Sequence, residues 1–305
     1  MPQLSLQQIN SAMLHPAQAV ADAERRYYLL IQAAASRVFQ NPQIRIILLA
    51  GPSSSGKTTT ASLLCRTIEA CGRPCSVISL DDFYRSEDED YPLNEDGRPD
   101  FETIHALHLE RLREALGLLA AGRDCPLPRF SFLERRRTDA AFVLPHADER
   151  CIIIEGIHAL NPLIAEGLDD TRLFKLFISV STNIVADGER ILSGRKARFL
   201  RRLVRDYHFR GADARRTLEL WPDVLRGENL YLYPYRDLAD LQLDTFHLYE
   251  VGVLAPYAES ILRQCPEAAD DPYADYILRA LPRFLPVSDA LVPPYALLRE
   301  FLPKR

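Results

Sequence analysis

Short runs of apolar, β-branched residues alternate with longer stretches of helical periodicity along much of this chain. The run at 44–50 is the clearest, because it is apolar apart from one arginine and ends at Gly51. Runs of this length are typical of buried parallel strands, and helices between them close βαβ units. The pattern predicts an α/β fold, a parallel sheet flanked by helices. The predicted strands are 44–50, 75–80, 150–155 and 173–180, and a helix is predicted at 104–121.

The two ends of the chain depart from this central pattern. Residues 17–39 are rich in Ala, Leu, Gln and Arg and predict a helix that ends at Asn41-Pro42, where proline disfavours continuation. Beyond residue 250, helical stretches alternate with prolines, which indicates a helical appendage packed on the core. We therefore divide the chain into an N-terminal helical segment at 1–43, a central domain at 44–250 and a helical C-terminal appendage at 251–305.

Composition and charge exclude several function classes. The net charge is -5 and the pI is near 5.9, whereas a general nucleic-acid-binding surface shows as a basic excess. The sequence has neither a signal peptide pattern nor an apolar run near the roughly 18 residues that span a bilayer, so we expect no membrane partner and a cytoplasmic location. The six cysteines lack C-x-x-C pairs and accompanying histidines and are expected to be reduced thiols. The oligomeric state is open, with a homo-oligomer among the alternatives.

A phosphate-binding loop follows the first predicted strand. The motif G-x-x-x-x-G-K-[ST] needs glycine at its ends, because backbone N–H groups must turn toward phosphate oxygens. Lys57 supplies positive charge for the β- and γ-phosphates, and the Thr58 hydroxyl can bind Mg²⁺. The helix that begins near Lys57 directs its dipole at the same anions. The segment predicts ATP binding by Gly51, Pro52, Ser53, Ser54, Ser55, Gly56, Lys57 and Thr58.

Acidic residues follow two other predicted strands, at the edge where parallel sheets bind their ligands. Asp81 and Asp82 come directly after one strand; a carboxylate there can accept the proton of an attacking hydroxyl, or it can cap a helix. Glu155 ends another strand, where P-loop proteins place a carboxylate against Mg²⁺, although a charge there can also simply meet water. The sequence leaves both pairs of alternatives open.

Positive charge is concentrated at residues 195–216, which hold nine Lys/Arg against two Asp. Apolar residues form a stripe on the predicted helix, and Arg198, Arg202 and Arg205 share another face. Charge runs are usually solvated, and Asp206 can pair with an arginine at i±4 spacing. The alternative is that these arginines close over a transferring phosphoryl group.

Together the motifs resemble the uridine kinase and phosphoribulokinase superfamily, most closely its bacterial uridine (nucleoside) kinase-like branch. The resemblance extends from about residue 44 to the C-terminus and implies the P-loop NTPase fold with a lid helix near 198–216. Members of that branch often carry an N-terminal domain like that of threonyl-tRNA synthetase, which we expect this chain to lack. The resemblance rests on GPSSSGKTT at 51–59, LDDFYR at 80–85, DFETIHAL at 100–107, IIIEGIHALNP at 152–162, RRLVRDYHFRG at 201–211, WPDVLRGE at 221–228 and LLREF at 297–301.

The resemblance implies an ATP-dependent kinase that uses Mg²⁺ and phosphorylates a hydroxyl of a small molecule, with the 5′-hydroxyl of uridine or cytidine as the leading acceptor. It places Thr58, Asp81 and Glu155 around Mg²⁺ and adds Thr59 to the ATP-binding residues. The implied catalytic residues are Asp81 as general base, Lys57, and the lid arginines Arg202, Arg205 and Arg210.

The acceptor-binding residues implied by the resemblance include several departures from the uridine kinase pattern. Glu102 stands where uridine kinases hold the ribose hydroxyls with an aspartate, which is one methylene shorter. Phe130 replaces a Tyr and Arg135 a His in the hairpin that reads the pyrimidine, and Ala212 replaces a lid arginine. The implied set is Asp81, Tyr84, Phe101, Glu102, Phe130, Arg135 and Arg202.

Three other functions compete with a nucleoside kinase. The departures leave room for a kinase of another sugar or sugar phosphate, and for an ATP-binding regulatory protein with weak turnover. A P-loop GTPase or motor ATPase fits less well, because the sequence has no N-K-x-D motif and Glu155 is followed by Gly-Ile-His instead of a second acid.

Overall fold

Strands and helices alternate along the chain as the hydrophobic pattern predicts. The structure is a computed structural model that describes residues 2–131, 134–146 and 150–304. Within these ranges the strands are β1 (Gln3–Ser5), β2 (Ile46–Ala50), β3 (Cys75–Ser79), β4 (Cys125–Ser131), β5 (Arg136–Leu144), β6 (Cys151–Glu155), β7 (Leu173–Ser179), β8 (Asn183–Ala186), β9 (Glu189–Leu192) and β10 (Leu241–Asp244). The helices are α1 (Leu6–Met13), α2 (Pro16–Gln40), α3 (Lys57–Ala70), α4 (Leu109–Ala120), α5 (Pro162–Ala165), α6 (Gly194–Phe209), α7 (Ala214–Tyr231), α8 (Glu250–Arg263) and α9 (Pro272–Ala280).

The central sheet consists, in the described part of the chain, of five parallel strands in the order β10-β7-β2-β6-β3. Successive side chains of β2 face opposite cores: Ile47 and Leu49 pack into one, Leu48 and Ala50 into the other. This period of two is expected of a strand covered on both faces. The four predicted strands are confirmed, with bounds within two residues of the prediction.

The helix predicted at 104–121 starts later than expected. A 3₁₀ turn precedes it, and α4 spans only Leu109–Ala120. Between the two, the backbone of Leu107 is extended and pairs with Tyr84. This tertiary pairing replaces the first helical turns, and local helix propensity could not reveal it.

The lid segment predicted as one helix at 198–216 is divided between two helices, α6 and α7. α6 ends before Arg210, and the Asp213 side chain caps the first turn of α7. Between them Gly211 has a φ of 63°, a left-handed conformation that commonly ends helices. Arg210 and Ala212 therefore lie in the bend between two helices.

Both ends of the chain pack on the central domain. α2 covers α3, where Tyr27 Oη and Thr60 Oγ1 are 2.7 Å apart. Ile31 of α2, Leu200 of α6 and Leu254 of α8 belong to one apolar cluster. The N- and C-terminal segments thus complete the core on one face of the sheet.

Two further features concern the helices and the cysteines. Within the described ranges, no helix is both long enough and apolar enough to cross a membrane. The cysteines are free thiols, and the buried ones are Cys65, Cys75, Cys125 and Cys151.

Candidate active site

The phosphate-binding loop lies between β2 and α3, at the carboxyl edge of the sheet. Ser54 and Gly56 have φ of 58° and 87°, so the backbone curls into a concave shape of the kind that binds anions. Gly51 is required by space, because a Cβ there would lie 2.5 Å from the Ile178 carbonyl oxygen. α3 begins at Lys57 and directs the positive end of its dipole into the loop.

Polar side chains of the loop are placed for an anion. The hydroxyls of Ser54 and Ser55 are buried and have no hydrogen-bond partner among the described residues. Lys57 Nζ donates to the Pro52 carbonyl at 3.2 Å, so the ammonium reaches across the loop. Buried hydroxyls without partners are unfavourable, and phosphate oxygens would satisfy them. The loop therefore fits the phosphates of a nucleotide.

Glu155 is buried beside the loop at the end of β6. Its Oε1 accepts hydrogen bonds from Ser79 Oγ at 2.8 Å and Thr58 Oγ1 at 3.3 Å. Burial, and then the charge of Asp81, raises the pKa of Glu155 to about 7. A bound cation would reverse this shift, since it stabilises the charged carboxylate.

The oxygens of Thr58, Asp81 and Glu155 fit Mg²⁺. This ion is usually held by one or two carboxylates together with substrate phosphates, so it needs no cage made of protein alone. The described residues contain no group of three or more His, Cys, Asp or Glu side chains arranged as a metal site.

Asp81 and Asp82 have different surroundings. The N–H of Asp81 donates to Ser79 Oγ at 3.4 Å, so Ser79 and not an aspartate caps this 3₁₀ turn. Asp82 accepts from the Phe130 N–H at 3.1 Å, and burial raises its pKa. Asp82 therefore holds the β4–β5 hairpin in place. Asp81 instead lies among the carboxylates of the site, close enough for its charge to raise the pKa of Glu155.

Three predicted acceptor-binding residues lie close to one another and to Asp81: Tyr84, Phe101 and Glu102. The Glu102 side chain packs against α7 at Gly227. Burial raises its pKa to about 7, while the positive charge of Arg202 works in the opposite direction. Tyr84 Oη donates to the Phe101 carbonyl at 3.2 Å, and the Phe101 residue itself is 54% exposed.

Phe130 and Arg135 belong to the β4–β5 hairpin. The ring centroids of Phe130 and Tyr84 are 5.8 Å apart, so Phe130 joins the aromatic wall of the site. Arg135 follows in the turn of the hairpin with a φ of 48°. Its side chain is 66% exposed and makes an ion pair with Glu87 at 2.9 Å.

The lid arginines gather around Asp206. Arg202 Nε lies 3.1 Å from Asp206, and its Nη1 donates to Ser53 Oγ in the loop at 2.9 Å. Arg205 donates to the same carboxylate at 2.9 Å, and Arg210 Nε lies 3.7 Å from it. Burial and the charge of Arg205 lower the pKa of Arg210 to about 10. The cluster has an excess of positive charge suited to phosphoryl groups.

A cavity of about 430 Å³ lies between this cluster and the hairpin. Arginines outnumber aspartates in its walls, so it favours an anion. Arg216 is in the wall because the break before α7 brings that helix start beside the lid arginines, which the prediction of one continuous helix did not show. The cavity is lined by Arg135, Arg202, Asp206, Arg210, Gly211, Ala212, Asp213, Arg216 and Leu220.

A buried ion pair next to the loop was missed by sequence reasoning. Arg198 donates to Glu228 through two hydrogen bonds of 2.6 and 2.7 Å, and both side chains are buried. Arg198 also donates to the Ser53 carbonyl at 2.8 Å, and Glu228 accepts from the Ser53 N–H at 3.0 Å. The pair therefore fixes both backbone groups of one loop residue.

A second buried pair supports the next part of the loop. Arg201 donates to Glu250 at 2.6 Å and to the Ser54 carbonyl at 3.3 Å. Thr245 accepts from Arg201 through its carbonyl at 2.7 Å and donates its hydroxyl to the Ser55 carbonyl at 2.8 Å. This part of the charge run, Arg198 and Arg201, is therefore buried and does not form a solvated face.

The C-terminal motif at 297–301 packs directly on the loop. Thr59 Oγ1 donates to Glu300 Oε2 at 2.6 Å. Leu297 fills the space beside Gly56, where a Cβ would lie 2.4 Å from the leucine side chain. The C-terminal appendage is therefore part of the wall of the nucleotide site.

A loop of this geometry at the carboxyl edge of a parallel sheet, with carboxylates at the neighbouring strand ends, defines a P-loop NTPase fold. Residues 46–250 match the Phosphoribulokinase / Uridine kinase family, and the chain belongs to this family. It is thus an ATP-dependent phosphotransferase, which confirms the resemblance seen in the sequence.

Comparison with individual proteins gives the same family. The uridine kinase of Deinococcus deserti is 28% identical over 198 residues, which are 64% of this chain and 85% of that protein. The uridine kinase of Schizosaccharomyces pombe is 35% identical over 181 residues, which are 58% of this chain and 35% of that protein. A solved structure of a candidate fructose transport system kinase from Silicibacter sp. TM1040 superposes with a TM-score of 0.49 at 18% identity, covering 70% of this chain and 98% of that one. A score below 0.5 adds nothing to the assignment.

Proposed function

We propose that this chain transfers the γ-phosphoryl group of ATP to the 5′-hydroxyl of a nucleoside, with uridine and cytidine as the leading acceptors. The observation that carries the proposal is the placement of two carboxylates beside the phosphate-binding loop. Asp81 follows β3 at the carboxyl edge of the sheet, and Glu102 packs against α7 at Gly227, next to the Glu228 that accepts from the Ser53 N–H of the loop. A general base beside a second carboxylate suits a ribose, which offers one hydroxyl to attack and two vicinal hydroxyls to hold. The similarity to uridine kinases supports the same acceptor class.

In the proposed reaction Asp81 accepts the proton of the 5′-hydroxyl while the oxygen of that hydroxyl attacks the γ-phosphorus. The bond from that phosphorus to the β–γ bridging oxygen breaks, and ADP leaves. Lys57 and the loop amides hold the phosphates in line. Arg202, Arg205 and Arg210 neutralise the charge that develops on the transferring group. Thr58 and Glu155, together with Asp81, would hold Mg²⁺, which would neutralise the β- and γ-phosphates when bound.

A phosphorylated sugar is the second candidate acceptor, and the arginine-lined cavity favours it. The cavity is lined by Arg135 and Arg202, and Arg202 also donates to Ser53 in the phosphate-binding loop, so an anionic group bound there would lie beside the loop. Phe130 and Arg135 supply no hydrogen-bond acceptor for reading a pyrimidine. An acceptor with vicinal hydroxyls and a phosphate would use both Glu102 and the cavity.

Steady-state kinetics on uridine, cytidine, adenosine, 2′-deoxyuridine and a pentose phosphate test these proposals. We expect modest and similar kcat/KM for uridine and cytidine, because an apolar pocket discriminates by only about 10- to 200-fold, against about 10⁴-fold for a site that hydrogen-bonds its substrate. We expect 2′-deoxyuridine to be a poorer acceptor, since it lacks one of the two hydroxyls that Glu102 would hold. Preference for the pentose phosphate would support the second candidate. Exclusive use of uridine would show that Phe130 and Arg135 do not replace the base-reading pair, and no transfer to any acceptor would contradict the proposal.

A further inference from the structure

The backbone conformation at Gly227 does not require a glycine. Gly227 lies inside α7, in ordinary helical conformation, where glycine is less favourable than alanine. Its reason is space: a Cβ at this position would lie 2.5 Å from Cβ, 2.8 Å from Cγ and 3.1 Å from Oε2 of Glu102. Contacts under 3 Å to carbon atoms near a backbone require the neighbour to move. Gly117, inside α4, is the opposite case, because a Cβ there would meet nothing within 4 Å.

The same face of α7 holds the backbone that carries Glu102. Tyr231, one turn after Gly227, donates its hydroxyl to Asp100 Oδ2 at 2.8 Å. The other oxygen of Asp100 accepts from the Glu102 N–H at 3.1 Å. Residues four apart share a helix face, so Gly227 and Tyr231 together grip the segment at 100–102.

The next residue of α7 holds the phosphate-binding loop. Glu228 accepts from the Ser53 N–H at 3.0 Å and is locked by its two hydrogen bonds with buried Arg198. Two adjacent residues of one helix thus contact the two halves of the active site. Gly227 leaves the space that the Glu102 side chain occupies on the acceptor side, and Glu228 contacts the loop that faces the phosphates.

We propose that Gly227 makes the room that the Glu102 side chain occupies, and that the Gly227–Glu228 step sets the distance between the acceptor hydroxyls and the phosphates. The inference rests on the proposed role of Glu102 in holding the acceptor. It also explains how a side chain as long as glutamate fits at position 102: with glycine on the facing helix, it has space. Gly227 acts through Glu102 and is a positioning residue.

The test compares Gly227→Ala with Gly117→Ala, using the best acceptor of the panel above. Gly227→Ala is expected to raise the acceptor KM by about 10-fold or more, because displacement of a positioning group by a fraction of an ångström to an ångström is costly. The KM for ATP is expected to stay within about 2-fold of the parent, since Ser53 is held by Glu228 and Arg198. Gly117→Ala is expected to leave both constants unchanged.

Two further variants keep the outcomes distinct. Tyr231→Phe removes only one hydroxyl, so it tests the grip on residues 100–102 even if Gly227→Ala folds poorly; we expect a rise of a few fold in the acceptor KM alone. Glu102→Gln tests the proposed function. If Glu102→Gln leaves the acceptor KM unchanged, the role of Glu102 fails and the inference fails with it. If Glu102→Gln raises this KM but Gly227→Ala and Tyr231→Phe do not, or raise the KM for ATP equally, only the inference about α7 is overturned.

Discussion

At the scale of single residues, Asp81 and Asp82 are distinguished by what they contact. Asp82 receives the Phe130 N–H of the hairpin, whereas Asp81 lies among the carboxylates around the proposed transfer site. We therefore expect Asp81→Asn to lower kcat by at least about 100-fold, the usual scale of general-base catalysis, and Asp82→Asn to have a much milder effect. Steady-state kcat of the two variants, each with its melting temperature, measures this. The reverse ranking would assign the base to Asp82.

Glu102 should link stability to pH. Burial raises its pKa from 4.5 to about 7, so between these values the folded protein keeps a proton that the unfolded chain has released. The stability that this group contributes is therefore fully present below its unfolded-state pKa of 4.5, and it is lost as pH rises through its folded-state pKa of about 7. We expect Glu102→Gln to be more stable than the parent at pH 8 by about 1–3 kcal/mol, and equal to it below about pH 4.5. Urea denaturation at both pH values checks this, and a pH-independent difference would contradict it.

The burial of Arg198 and Arg201 could not be predicted from the sequence. Both lie in a run of charges that is usually solvated. Their carboxylate partners, Glu228 and Glu250, are 30 and 49 residues away in the chain, and no local pattern records such a pairing. The loop residues that these pairs hold were predictable, because their motif is local and each member has a separate physical role.

At the scale of elements, the strands and the helix after the loop were readable because their patterns are local. The early end of α6 can also be read from the sequence. Gly211 is a residue type that commonly ends a helix, and Asp213, two residues later, is a typical N-cap for the next helix. The delayed start of α4 left none, because Leu107 is extended only through its pairing with Tyr84. Patterns thus predict an element, whereas tertiary pairing decides where it begins.

The break between α6 and α7 lies among the lid arginines and suits a lid that moves. Arg210 lies in the bend, beside Gly211, and the arginines are most useful when the site closes and excludes water. We expect hydrogen exchange at 198–216 to slow when an ATP analogue and an acceptor bind together, and to change less with either alone. Mass-spectrometric exchange on these peptides measures this, with α9 as an internal reference. Equal protection in all states would instead indicate a static helix pair.

At the scale of the whole molecule, the terminal segments support the nucleotide site that the central domain carries. Tyr27 contacts α3 through Thr60, and Leu297 lies against Gly56 with no exposed surface. We expect Leu297→Ala to cost about 2–5 kcal/mol of stability, as a buried leucine does, and to raise the KM for ATP because Gly56 loses its support. Leu285→Ala is the matched control, since Leu285 is 38% exposed. Lost stability with an unchanged KM for ATP would limit Leu297 to a structural role.

Phosphoryl transfer from ATP to an acceptor hydroxyl can be measured by following both products in one reaction. The chain is incubated with ATP and Mg²⁺ and, separately, with uridine, cytidine or a pentose phosphate, and ADP and the phosphorylated acceptor are quantified by chromatography and mass spectrometry. Lys57→Ala serves as the control, because its ammonium serves phosphates and its loss should leave the fold intact by circular dichroism. We expect equal amounts of ADP and phosphorylated acceptor, with the phosphate of a nucleoside product on its 5′-oxygen, and no transfer by Lys57→Ala. ADP formation without any phosphorylated acceptor, or unchanged turnover in Lys57→Ala, would contradict the proposed transfer.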